Sequence, residues 1–221
     1  MNCIFTVASN DYLILALGLY KSFRIYDKTN FFEIYLVNVD TNNEFSKIKD
    51  TKLIVNYLNY EKADLKYYCS ILRIKIFPKL LEKNYKLIYW FDADMLIRGN
   101  LFKNFNFNGE LEDNKKDLVI TGRKINKINT SIVGICNNDK IKNFISDWNK
   151  KLNSLKQKWY ADQKSIQKLI NSDSCDIRVK LLNRSFFDYC KFNNNSFVWN
   201  AKGERKNNKK FLEYQKKVLI T

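Results

Sequence analysis

Two carboxylates, Asp92 and Asp94, stand two residues apart at the end of the apolar run Leu87-Ile88-Tyr89-Trp90-Phe91, and a second apolar patch, Met95-Leu96-Ile97, follows at once. In an extended chain, residues i and i+2 leave the same face, so both acids would project together. Like charges at the end of a buried strand repel and are poorly solvated, and a divalent cation commonly relieves this. Carboxylate oxygens suit Mg2+ or Mn2+, and such ions in turn hold substrate phosphates. The chemistry implied is a metal–diphosphate site. The alternative is a strand ending in a polar turn, with the Asp pair capping the loop.

Several other chemistries are excluded by residue type. The chain has no His, so neither a Ser-His-Asp nor a Cys-His site can be built. The five cysteines, Cys3, Cys69, Cys136, Cys175 and Cys190, show no C-x-x-C spacing and read as buried, reduced thiols rather than a zinc site. No G-x-G-x-x-G opens the first helix and no G-x-x-x-x-G-K-[ST] occurs, so a dinucleotide fingerprint and a P-loop are both missing.

The elements that must position the acids follow from periodicity. Residues 3–8 read as a strand, and Ser9-Asn10-Asp11 supplies helix-start residues for a helical pattern from Tyr12 to Tyr26. Strands are expected at Phe31–Val39, Lys52–Leu58 and Lys86–Phe91, with a short helix between Thr41 and Lys49. A long helix is expected over Ala63–Leu81, bent or ended by Pro78. A short helix, Leu101–Phe105, and a polar loop through Lys116 lead into strands Asp117–Thr121 and Ile128–Cys136. Helices over Asn138–Leu155 and Tyr160–Ile170, short strands at Asp176–Leu182 and Ser196–Trp199, and a basic amphipathic helix from Asn207 complete the chain.

Alternating strands and helices predict a single α/β domain with a mostly parallel central sheet flanked by helices. Ligands of such sheets sit at the carboxyl ends of the strands. Ala8-Ser9-Asn10, Asp92-Ala93-Asp94 and Trp199-Asn200 all fall at such ends, which places the site there.

The 221 residues suffice for one sizeable core, and a net charge of +16 fits a solvated Lys-rich surface over most of the chain, or an anionic substrate, nucleic acid or an anionic membrane surface. Nucleic acid is not expected, because an acidic pair in the pocket repels a phosphate backbone unless a metal intervenes. The segment Lys202–Lys217, with seven basic and two acidic residues, suggests peripheral contact with an anionic membrane or a phosphorylated, lipid-linked acceptor. An amino terminus that starts directly as a strand, without a signal-peptide pattern, predicts a cytoplasmic protein.

Taken together, Ala8-Ser9-Asn10-Asp11-Tyr12, Tyr68-Cys69-Ser70-Ile71-Leu72-Arg73-Ile74, the strand into Asp92-Ala93-Asp94, and Gly99-Asn100-Leu101 resemble the GT-A nucleotide-sugar glycosyltransferases. The likeness is greatest to glycosyltransferase family 8, which includes glycogenin and lipopolysaccharide galactosyltransferases. It runs from residue 3 to residue 206, leaving 207–221 as a basic helix packed on or extending from the domain.

The resemblance implies transfer of a hexose from a UDP-sugar to a glycan or other hydroxyl acceptor, with retention and with Mn2+ or Mg2+. It implies that Ala8, Asn10 and Tyr12 hold the uridine, that Arg73 reaches the donor sugar and diphosphate, and that Asp92 and Asp94 bind the metal. Asn129, in Asn129-Thr130-Ser131-Ile132-Val133, falls near the donor sugar, and the pair Asp162-Gln163 flanks the transferred sugar. Asn200-Ala201-Lys202-Gly203-Glu204-Arg205-Lys206 is similar to the family's His-x-x-Gly-x-x-Lys, with Gly203 and Lys206 at the diphosphate. Asn200 replaces the family's third metal ligand, a His. That substitution keeps open a degenerate protein that binds nucleotide sugar without turning it over.

Overall fold

The computed structural model describes residues 1–61, 64–101, 116–155, 160–182 and 186–220. The expected helix and loop between Phe102 and Lys115 lie outside the described residues. Seven strands form the main sheet. They are β1 (Cys3–Ser9), β2 (Phe31–Val37), β3 (Leu53–Leu58), β4 (Leu87–Phe91), β6 (Leu118–Lys124), β7 (Lys127–Cys136) and β8 (Val179–Leu182). Their order is β3-β2-β1-β4-β7-β6-β8. Only β7 runs against its neighbours. The expected α/β class and mostly parallel sheet are therefore observed.

A second sheet of three strands joins β5 (Met95–Ile97), β10 (Val198–Asn200) and β9 (Phe187–Asp188) in the order β5-β10-β9. β5 and β9 are too short to show a period in the sequence, and both are defined by pairing with β10 from the far end of the chain.

The helices are α1 (Leu13–Tyr26), α2 (Leu65–Leu81), α3 (Asp139–Asn153), α4 (Ala161–Ile170) and α5 (Lys209–Ile220). Caps fix two of their starts: the Asp64 side chain accepts from the Tyr67 amide at 2.8 Å, and Asn138 accepts from the Ile141 amide at 2.9 Å. α2 runs through Pro78 rather than ending there. The last turn is held by burial of Leu80 and Leu81 and closed by a Glu82 N–H to Pro78 carbonyl bond of 3.2 Å. Such packing offsets the hydrogen bond that proline removes.

β1 lies at the centre of the sheet, and its residues Cys3 to Ala8 are all buried. α2, α3 and α4 pack together, α2 over β1 and β4 and α4 over β7. α1 packs against β5 and α5. At the β4–β7 pairing, Tyr89 lies opposite Gly134, and its ring occupies the space a Cβ there would need, 2.5 Å away. The glycine thus lets a fully buried tyrosine lie flat across the strand.

A smaller core of Leu15, Leu96, Phe192, Trp199, Ala201 and Phe211 ties the second sheet to α1 and α5. The Arg98 guanidinium lies 3.9 Å from the Trp199 ring centre, and the Tyr214 hydroxyl donates to the Ile97 carbonyl at 3.0 Å. Phe211, Gln215 and Val218, the inner stripe of α5, are buried against this core. Its apolar face is therefore occupied by protein, and membrane contact gains no support. No helix among the described residues is long and apolar enough to cross a membrane.

All five cysteines are free; Cys3 and Cys136 are buried as expected, whereas Cys190 is exposed.

Candidate functional site

Chain order places the site at a switch point. From β1 the sheet grows outward through β2 and β3, then β4 returns to the other flank of β1. The loops at the carboxyl ends of β1 and β4 therefore diverge and leave a crevice between them. β1 delivers Ala8 and a tight turn, Asn10–Tyr12. β4 delivers the acids.

Asp92 and Asp94 do not leave an extended chain side by side. Ala93 and Asp94 form a turn as the chain crosses from the main sheet into β5 of the second sheet. The two carboxylates consequently meet different surroundings. Asp92 is part-exposed; its Oδ1 accepts from Trp90 Nε1 at 3.1 Å and from Arg73 at 3.4 Å. Asp94 is 5% exposed and accepts from the Asn200 amide nitrogen at 3.3 Å. The second sheet brings these two together, since Asn200 pairs with Met95 and the Ala201 N–H donates to the Asp94 carbonyl at 2.9 Å. Burial, then the Asp92 charge, pushes the Asp94 carboxyl up to about 7, against the opposing pull of Lys202 and Lys206.

Asn200 is fully buried, and its side-chain oxygen accepts from the Lys202 N–H at 3.0 Å. Its nitrogen, not its oxygen, therefore faces Asp94. No group of three His, Cys, Asp or Glu residues able to hold a metal occurs among the described residues. Two hard carboxylates still fit Mg2+ or Mn2+, because such ions are held by one or two carboxylates and complete their shell with water and substrate phosphate. The crowding of two acids favours this fit, since burial and the Asp92 charge raise the Asp94 carboxyl even with Lys202 and Lys206 nearby.

Gly203 has φ +70, with open space around it, and turns the chain after β10 into a short 3-10 helix, Gly203–Asn207. That helix carries Lys206, whose Nζ lies 3.7 Å above the Tyr12 ring. Lys206, Tyr12 and Asp94 thus share one corner. Ala8 is buried, while Asn10 is exposed and donates to the Asn38 carbonyl at 3.1 Å.

Arg73 is buried inside the site rather than open to it. Its Nε donates to the Ser70 carbonyl at 2.9 Å, one terminal nitrogen donates to the Thr130 carbonyl and Asp92, and the other to Asp162 at 2.7 Å. The guanidinium also lies 4.7 Å from the Trp90 ring centre. Asp162, in the first turn of α4, is 2% exposed and also accepts from the Thr130 hydroxyl at 2.7 Å. Both Arg73 and Asp162 are held by one another, so Asp162 acts on Asp92 only through Arg73. Trp90 and Thr130 are participants that the motifs did not single out. Strand alternation, which puts residues 90 and 92 on one face, is the signal that could have found the first.

Asn129 and Gln163 line a cavity of about 930 Å3 beside this network. Asn129 Oδ1 accepts from the Ser131 N–H at 2.7 Å, and Gln163 donates to the Ile128 carbonyl at 2.8 Å. The cavity opens at the same sheet edge as the acids, because Ile132 pairs with Phe91 and residues 128–131 run on past the end of β4.

A fold of this kind, with its crevice at the switch point, defines the class of glycosyltransferase structures to which the chain is similar. The bifunctional glycosyltransferase WbbM superimposes with a TM-score of 0.61 at 12% identity, over 100% of this chain and 52% of that one. The glycosyltransferase GlyE of Streptococcus pneumoniae TIGR4 gives 0.61 at 12%, over 100% and 63%. This chain therefore spans between half and two thirds of those two proteins. The galactosyltransferase LgtC, solved with donor and acceptor sugar analogues, gives 0.61 at 11%, over 98% and 96%. A search of curated protein sequences finds no match. The nucleotide-diphospho-sugar transferase family matches residues 43–213, and the chain belongs to that family.

Proposed function

We propose that this protein transfers a hexose from a UDP-sugar to a hydroxyl of a glycan acceptor, as a family 8-like enzyme, with retention at the anomeric carbon. The observation that carries this reading is the corner at the switch point, where Asp94 is buried beside Asp92, and Lys206 rests on Tyr12. An acidic pair that would hold a divalent ion, with cations and an aromatic ring beside it, suits a nucleoside diphosphate.

In this reading Tyr12 offers its ring to the uracil, over Ala8, and Lys206 leaves that ring to meet the diphosphate. Asp92 and Asp94 hold Mg2+ or Mn2+, which when bound stabilises negative charge on the departing UDP. Arg73 keeps Asp92 in place, and Asp162 keeps Arg73 in place. Asn129 and Gln163 face the space where the sugar and acceptor meet. The acceptor oxygen bonds to the anomeric carbon as the bond from that carbon to the diphosphate oxygen breaks. The electron pair leaves with UDP, and the acceptor proton passes to the departing oxygen. Asn200 keeps Asp94 oriented by donating to it.

Calorimetric titration with UDP, with and without Mn2+ or Mg2+, tests the reading. Binding that needs the ion and is lost in Asp94→Ala supports it, and a UDP-sugar hydrolysis screen then selects the donor. Metal-independent binding without hydrolysis would favour a degenerate nucleotide-sugar binder, the second reading, which the inward-turned Asn200 oxygen favours. Absence of UDP binding would remove both.

A further inference from the structure

The cavity that Asn129 and Gln163 line is basic. Arg123, Lys127, Lys164 and Lys168 all line it, and no Asp or Glu does so among the described residues. None of these four cations is in an ion pair among the described residues, although lysines elsewhere are paired, as in Lys83–Glu33, Lys140–Asp176 and Lys150–Asp147. The four come from two elements: Arg123 and Lys127 from the β6–β7 hairpin, Lys164 and Lys168 one turn apart on α4. Unneutralised charges gathered around one hollow repel each other, and an anion placed among them relieves that repulsion.

The rest of the lining suits a sugar. Tyr160 and Tyr189 contribute rings, with the Lys164 ammonium 4.5 Å from the Tyr160 ring centre and Arg123 donating to the Tyr189 hydroxyl at 3.0 Å. Flat rings pack on the apolar face of a pyranose, and amides such as Gln163 and Asn129 bond its hydroxyls. A volume of about 930 Å3 exceeds what one monosaccharide fills and lies at the upper end of the usual range for small-molecule sites. The donor corner, by contrast, sets two acids against Lys202 and Lys206, so the two regions at this edge of the sheet differ in charge.

From this we infer that the cavity receives an acceptor sugar carrying a negative charge, a phosphate or a carboxylate. The inference rests on the sugar-transfer reading above for the word acceptor, but its test does not use the donor. The full chain is titrated at low salt with glucose, glucose 6-phosphate, glucuronate and inorganic phosphate, followed by saturation-transfer NMR or calorimetry. Both or one of the charged sugars bind about tenfold or more tightly than glucose, as expected for a few exposed charge contacts. Preference for glucose 6-phosphate assigns a phosphate, and preference for glucuronate a carboxylate. The preference shrinks at about 0.5 M NaCl through screening.

The double variant Lys164→Gln/Lys168→Gln, at exposed positions, removes the preference, and Lys164→Arg/Lys168→Arg retains it. Equal affinity for charged and neutral sugars overturns the inference. So does a preference unchanged in the double Gln variant, or inorganic phosphate binding as tightly as the sugar phosphate. Charged-sugar preference without UDP binding sinks the transferase reading alone; UDP binding without the preference sinks this inference alone.

Discussion

Two buried carboxylates, Asp162 beneath β7 and Asp94 at the join of the two sheets, are both almost fully out of water. The first is neutralised by Arg73 at 2.7 Å and bonded by Thr130. The second faces a neutral amide and a second acid, and burial and the Asp92 charge raise its carboxyl to about 7 in spite of Lys202 and Lys206. A buried charge that is fully partnered serves architecture; one crowded by a second acid has room for a cation that arrives with the substrate. The difference divides the site into a half that holds Asp92 through Arg73 and a half that, in the proposed reading, receives the ion.

Breaking the Arg73 half gives the largest effect. Arg73→Met strands Asp162 in the interior and lowers stability by about 3–5 kcal/mol, the cost of an unpaired buried charge. Urea unfolding measures it. The double variant Arg73→Met/Asp162→Leu is less destabilised than the sum of the two single changes. Single-variant losses below about 1 kcal/mol would mean the pair is not a structural unit.

The Asp94 half is broken by pH. The folded carboxyl of Asp94 is raised above its ordinary value of 3.8 to about 7, so the unfolded chain gives up its proton first as pH rises. Stability from this group is fully present below about pH 4 and is lost as pH climbs to about 7, by at most about 4 kcal/mol. Thermal melts in EDTA show this decline, and Asp94→Asn removes that part of it. Mg2+ acts in the opposite sense, stabilising the protein more as pH rises through 7, because the ion competes with the proton. A metal-free melting profile identical in the wild type and Asp94→Asn would contradict the contrast.

Much of this frame was legible in the sequence because it rests on local periodicity. The apolar run into Asp92, the helix start capped by Asn138, and the alternation that gives the parallel sheet each depend on neighbours within a few residues. What depends on distant partners was not legible. β5 and β9 exist only because β10 pairs with them. α2 survives Pro78 because its far turn is buried. The turn at Ala93, which separates the two acids, follows from the crossing between sheets. The pairing of Arg73 with Asp162, 89 residues away in the chain, has no local signal either. The basic cavity is assembled from β6, β7, α4 and β9, and no stretch of sequence announces it.

Asn200→Asp sharpens the contrast by replacing the donor to Asp94 with a third acid. The Asn200 nitrogen donates to the Asp94 side chain at 3.3 Å, and loss of that donor inside the protein costs about 1–3 kcal/mol. Metal-free protein therefore melts earlier, while Mg2+ raises the melting temperature by more than it does in the wild type, since added carboxylate strengthens a hard-oxygen site. An equal Mg2+ response in both proteins would place the ion elsewhere.

Lys206→Ala has the smallest effect on stability and the most selective one on binding. The lysine is part-exposed, and its stacking on Tyr12 at 3.7 Å is worth about 0.5–1 kcal/mol. Its charge also lowers the Asp94 carboxyl, so its removal shifts that titration further upward. A lysine that merely covers an aromatic ring would change only the melting temperature, by that small amount. One that moves from the ring to a diphosphate changes UDP affinity while leaving uridine affinity nearly as it was, because uridine carries no phosphate. Parallel titrations of UDP and uridine therefore separate the two roles: equal losses for both ligands would assign Lys206 to the ring, and a loss confined to UDP assigns it to the charge.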